Sequence, residues 1–74
     1  MRLSDLKVGQ KGIIDLVDLD GSIKRRLLDL GFVPGTEIKS VRKSPAGSPI
    51  VFELRDTLIA LRKKEAYQIF VETK

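Results

Sequence analysis

Any chemistry in this chain would have to come from carboxylates, amines, guanidines and hydroxyls, because its 74 residues include no Cys and no His. Without Cys there is no disulfide, no thiolate nucleophile and no zinc-finger ligand set. Without His, the commonest general acid–base group and the commonest transition-metal ligand are gone. Asp15, Asp18 and Asp20 are spaced closely enough to suggest a hard cation. In a calcium loop built on Asp18-Leu19-Asp20-Gly21, however, the first ligand would fall on Leu16 and the bidentate acid on Leu27. The three acids therefore read as a capping turn with solvent-facing carboxylates, and neither a metal site nor a cofactor is expected. Ser4, Ser22, Ser40, Ser44 and Ser48 have no His to activate them, and a lone Lys would need strong desolvation. No GxxxxGK[ST] or GxGxxG phosphate cradle occurs. These absences exclude most enzyme classes and favour a binding or regulatory module.

The charge balance, 14 Lys+Arg against 10 Asp+Glu, gives a net +4. Lys24-Arg25-Arg26, Arg42-Lys43 and Arg62-Lys63-Lys64 are the basic clusters. A nucleic-acid binder would interleave such clusters with aromatics on one face. Only Phe32, Phe52, Tyr67 and Phe70 are available, and each basic cluster has acids nearby; Asp29 lies one helical turn from Arg25, within pairing reach. The positive charge thus reads as solvated and dispersed, and no nucleic-acid partner is expected. Apolar residues off the core pattern are the better lead. Leu28 lies about 140° around the helix from Ile23 at roughly 100° per residue, at or beyond the edge of the apolar stripe. Phe32 and Val33 follow in the turn after the helix, and Phe70 alternates with Ile69 and Val71 so as to face outward. With Arg25 beside them, Leu28, Phe32, Val33 and Phe70 form a candidate partner-docking patch.

The elements that must carry these residues are short. Leu3 to Gly9 predicts a single turn, begun by Ser4 or Asp5, that tucks Leu3 and Leu6 under the domain. Gly12 to Val17 is β-branched and predicts a strand. Asp20 and Ser22 are competent N-caps for a helix over Ser22 to Leu30, with Ile23, Leu27 and Leu30 on one stripe and Gly31 as a left-handed cap. Strands follow over Thr36 to Lys43, Pro49 to Arg55 and Thr57 to Arg62, with a tight turn near Asp56. In the first of these Ile38 and Val41 are three apart, so a β-bulge or bend is needed to bring both inward. Lys63 to Ala66 predicts one helical turn, and Tyr67 to Glu72 a last strand. Five strands with a helix after the first predict a mainly β fold, a small and partly open β-barrel forming one domain over residues 1–74. No signal peptide and no apolar run long enough to cross a bilayer is visible, so a cytoplasmic protein without membrane insertion is expected.

The order of these pieces resembles the FeoA family of bacterial ferrous-iron uptake over nearly the whole chain. The carrying residues are Leu3-Ser4-Asp5-Leu6 with Gly9 and Gly12-Ile13-Ile14, then the specific run from Arg25 to Thr36 containing Leu30-Gly31-Phe32-Val33-Pro34-Gly35. Ser44-Pro45, Pro49-Ile50, Ala60-Leu61-Arg62 and Glu65-Ala66 complete the set. The resemblance implies an SH3-like barrel and a cytosolic accessory role through contact with FeoB, a membrane transporter that carries a cytosolic G-protein domain. Stimulation of GTP hydrolysis, proposed for the family, would need an arginine finger, for which Arg25, Arg26, Arg42 and Arg62 are the available donors. Alternatives are a basic SH3-like nucleic-acid binder and a metal-sensing regulatory domain using Asp15, Asp18 and Asp20. Domains similar to this family also occur at the C-terminus of iron- and manganese-dependent repressors, fused to a helical DNA-binding domain. Whether the chain forms a homo-oligomer is left open by its sequence.

Overall fold

Glycine punctuation and apolar alternation divide the chain as its sequence predicts. The computed structural model describes residues 1–74, with strands β1 (Lys11–Val17), β2 (Glu37–Lys43), β3 (Ile50–Leu54), β4 (Thr57–Leu61) and β5 (Ile69–Thr73). A 3₁₀ turn over Leu3–Asp5 precedes them, helix α1 (Gly21–Leu30) lies between β1 and β2, and the single turn α2 (Lys63–Ala66) leads into β5. All pairings are antiparallel, in the order β4-β3-β2-β1-β5. The result is a mainly β, strongly curled open sheet with one short helix after its first strand.

The inner face of this sheet holds the core. Ile14 and Val17 of β1, Ile38 of β2, Ile50, Phe52 and Leu54 of β3, Leu61 of β4 and Ile69 and Val71 of β5 are all buried. Leu3 and Leu6 close it from the first turn, as expected. Gly12 sits where β1 meets β5 most tightly: a Cβ there would stand 3.0 Å from the Glu72 carbonyl and 3.4 Å from Val71. The two strands approach closely because this position has no side chain.

Two bulges set which residues face inward. In β2 the register shifts between Ser40 and Arg42, so Val41 is the extra residue. The expected bulge is present, with a different outcome: Ile38 and Ser40 take the inner positions and Val41 is only half-buried. The Ser40 hydroxyl is buried without a hydrogen-bond partner. In β1 a second bulge, at Asp15, lies between Ile14 and Leu16. It keeps Ile14 and Val17 inside although they are three apart, and it turns Leu16 outward opposite Phe70.

Helix α1 spans one open end of the barrel. Leu19 and Ile23 pack on the core near its start and share a cleft with Lys64, Glu65 and Gln68. Its end lies against the β3–β4 turn, with Gly31 facing Arg55 and Leu54. Helix formation begins at Gly21, with Asp20 in the capping position but forming no side-chain cap bond. Leu27 is fully buried, whereas Leu30, placed on the same stripe by its spacing, is 39% exposed. The reason is the turn that follows. Gly31 takes φ 111°, its N–H donates to Leu28 O at 3.0 Å, and the Phe32 N–H donates to Leu27 O at 2.9 Å. This is the Schellman arrangement, in which the residue after the glycine folds back onto the last full turn. Phe32 therefore drops into the core cluster that also holds Leu27, while Leu30 stays at the margin.

Phe32 is fully buried, so truncating it leaves a large cavity in a small core. Phe32→Ala is expected to lower the unfolding free energy by about 3–5 kcal/mol in urea denaturation. Gly31→Ala forces a side chain into a left-handed backbone against Arg55 Cδ at 3.1 Å, and is expected to cost about 1–3 kcal/mol in the same measurement.

Candidate functional site

Outward-facing groups gather on two parts of the sheet. On the middle strands the row is charged. Lys11 stands opposite Lys39, and Lys39 opposite Glu53. Glu37 binds the ammonium of the C-terminal residue Lys74 and lies 3.8 Å from Lys11 Nζ. The hydrogen bond from Lys74 holds the Glu37 carboxyl below the usual carboxylate range; partial desolvation opposes this, and the positive charges of Lys74 and Lys11 add to it. No other ion pairs form in the chain. The expected pairing of Asp29 with Arg25 is absent, and both side chains extend into solvent. Asp15, Asp18 and Asp20 are likewise exposed, and no three acidic side chains converge in a geometry that could hold a metal ion.

At the β1–β5 end the outer face is apolar and aromatic. Leu16, turned out by the β1 bulge, is 51% exposed and pairs across the strands with half-buried Phe70. Met1 and Arg2 run along the outer edge of β5: the N-terminal ammonium donates to Val71 O at 2.9 Å, and the Val71 N–H donates to Met1 O at 2.7 Å. Arg2 bridges to Phe70 as a strand partner. Its guanidinium carbon lies 3.9 Å from the Tyr67 ring centre and 4.8 Å from that of Phe70, while Nη1 donates to Tyr67 O at 2.8 Å. Tyr67, assigned to the last strand by its sequence, belongs instead to the turn after α2, and its ring is half exposed. Arg2, Leu16, Tyr67 and Phe70 thus form one continuous surface in which a cation is held between two rings. It offers no nucleophile or proton-transfer pair; what it can do is bind.

The docking patch expected from sequence divides in this structure. Phe70 faces outward as its alternation predicts. Arg25 is exposed, and Leu28 and Val33 are half-buried around the end of α1. α1 meets the core through Leu27 at one open end of the barrel, whereas Phe70 lies on the outer face of β5, so these residues do not share one face of the sheet. Phe32 belongs to neither: the left-handed turn at Gly31 buries it, so it is a core residue and not a docking residue. Arg2, Leu16 and Tyr67 were not legible as site residues. Leu16 is exposed only because of the bulge, and Arg2 meets Tyr67 through a contact spanning nearly the whole chain.

Comparison with known proteins places these features in a family. The FeoA domain model matches residues 1–73. A curated relative from Porphyromonas gingivalis, an "Fe(2+) transport protein A/Fe(2+) transporter FeoB fusion protein", is 36% identical over 72 residues, covering 97% of this chain but 8% of the relative. This chain therefore corresponds to a small part of that protein's length. The solution structure of FeoA from Chlorobium tepidum superposes with a TM-score of 0.94 at 37% identity, covering 99% of this chain and 70% of that one. FeoA from Stenotrophomonas maltophilia, solved with zinc and described as a prokaryotic SH3 domain protein, gives 0.85 at 38% identity, covering 97% and 89%. The curled sheet described above is thus SH3-like, in agreement with the fold implied by the sequence resemblance.

Removing the cation from between its two rings should be felt locally and modestly. Arg2→Ala is expected to lower stability by about 1 kcal/mol, and the Arg2 side-chain protons of the wild type should show upfield ring-current shifts that shrink in Tyr67→Ala. For Glu37, a carbon-detected NMR titration should place the carboxyl midpoint below the ordinary glutamate range, and Lys74→Ala should raise it. Because the folded-state value is the lowered one, the stabilising contribution of Glu37 is complete above the ordinary glutamate range and is lost as pH falls through the lowered value.

Proposed function

This chain belongs to the FeoA family, and from that premise we propose that it is an accessory of ferrous iron uptake that acts by docking on a FeoB-type transporter at its cytosolic side. The single observation that carries the proposal is the Porphyromonas gingivalis relative, in which a segment matching 97% of this chain shares one polypeptide with a FeoB transporter. Linking two units in one chain holds them at high effective concentration, which is useful when they work in contact.

The chemistry on the surface is consistent with that role. Arg, Tyr and Phe are enriched in the energetic centres of protein interfaces. The outer face of β1 and β5 presents all three types around Leu16. Arg2, Leu16, Tyr67 and Phe70 are accordingly the primary contact, and Arg25, Leu28 and Val33 on the helix side are a second one. Iron is cargo of the partner: this chain has no His, no Cys and no convergent carboxylates to retain it. No helix is long and apolar enough to cross a membrane, so the role requires only a surface.

Titration of the chain into its own organism's full-length transporter, by calorimetry or by biolayer interferometry, tests this. Leu16→Glu and Tyr67→Glu should each weaken binding by about tenfold or more, about 1.4 kcal/mol, with the circular dichroism unchanged. Wild-type affinity in both would move the contact to the helix side, where Leu28→Glu and Val33→Glu are the probes. No binding by the wild-type chain would overturn the accessory role.

A further inference from the structure

The two edges of the sheet are treated differently. Along β5, Met1 and Arg2 pair with the outer side and cover it. Along β4 nothing does: its hydrogen bonds run to β3 on one side, and no other backbone bond reaches it. Soluble proteins blunt such edges with charged residues, proline, a bulge or a covering segment. β4 reads Thr57-Leu58-Ile59-Ala60-Leu61, without charge or proline. Its register against β3 is unbroken from Leu54↔Thr57 to Ile50↔Leu61. Leu58, at 60%, is the most exposed large apolar side chain in the chain.

The hairpin determines which groups on this edge are free. Arg55 and Asp56, with φ 51° and 61°, form a two-residue turn of the type I′ kind, which closes on Leu54 and Thr57. In an antiparallel ladder successive residues direct their N–H and C=O to opposite sides. Thr57, Ile59 and Leu61 therefore bond to β3, and the N–H and C=O groups of Leu58 and Ala60 point to the open side.

We propose that β4 pairs antiparallel with β4 of a second copy of this chain, about a twofold axis passing through Ile59. This register sets Leu58 opposite the partner's Ala60 and Ala60 opposite the partner's Leu58. Both residues present a donor and an acceptor, so each cross-pair closes two backbone hydrogen bonds. On the outer face the large Leu58 side chain lies beside the small Ala60, and the half-buried Ile59 residues meet on the inner face. Just beyond the strand, the same twofold brings exposed Asp56 opposite Arg62, a pair of opposite charge. The next pair out, Arg55 and Lys63, is of like charge, and it falls where the chains diverge into the β3–β4 turn and α2. This match of backbone groups, side-chain size and charge under a single twofold is a property of the strand facing itself, and it favours a second copy over a foreign strand. The contact is short, so the association is reversible and concentration-dependent.

Sedimentation velocity and amide hydrogen exchange on the full chain, over a dilution series reaching about 1 mM, the range of weak contacts, provide the test. The sedimentation coefficient should rise from monomer to dimer, and the Leu58 and Ala60 amides should gain protection in step with it. Leu58→Lys places a charge on the edge, and Ala60→Pro deletes a free-edge donor without removing a bond to β3. Leu58→Lys should remain monomeric with an unchanged circular dichroism spectrum, and Ala60→Pro should behave in the same way. A wild-type chain that stays monomeric throughout would overturn the proposal. So would a dimer in which these two amides exchange at the monomer rate, or a folded Leu58→Lys variant that dimerises like the wild type.

Discussion

The contact between Leu27 and Phe32 across the left-handed Gly31 holds the molecule's one inserted helix to its sheet. α1 interrupts the meander between β1 and β2, and a helix this short is unstable on its own. The Gly31 turn secures it by bonding two terminal amides to carbonyls of the last turn and by directing the Phe32 ring into the core. The chain then leaves at Val33-Pro34-Gly35 to begin β2, with Gly35 N–H donating to Ile14 O. The cap thus connects helix, core and the strand pair that follows.

A second constraint comes from the curvature of the sheet. Five strands of this length can enclose fourteen buried apolar residues only if the sheet bends sharply, and bulges in β1 and β2 supply local bends. Each bulge also reassigns faces. In β2 it brings Ser40 inside and leaves the hydroxyl without a partner, where a neutral group in a small core is tolerable and a charge would not be. In β1 it sends Leu16 outside. The same device that closes the core thereby creates the apolar outer surface.

Function in such a domain is a matter of which side each residue reaches. With no catalytic constellation, the surfaces differ only in shape, apolarity and charge. The middle of the outer sheet is charged and internally paired around Glu37, which leaves it little to offer an apolar partner. The β1–β5 end is aromatic, and the β4 edge is uncharged with free backbone groups. These two ends differ in kind: one presents side chains, the other a hydrogen-bonding ladder.

Local pattern determined a great deal. Alternation, glycine positions and a capped apolar stripe placed all five strands, both helical segments and the need for a bulge in β2, because each of these depends on residues a few positions apart. The absence of His and Cys, likewise read without any structure, removed the commonest catalytic and metal-ligating groups. Tertiary structure alone decided the faces. Leu30 is left 39% exposed and Phe32 is fully buried, because the left-handed turn at Gly31 directs the ring into the core. Phe70 and Leu28 share an apolar character but belong to different surfaces, since α1 closes one end of the barrel and Phe70 lies on the outer face of β5. Arg2 meets Tyr67 and Phe70 only because the chain's first residues return along β5. Spacing in sequence specifies direction within an element; what an element faces is set by the curl of the whole sheet.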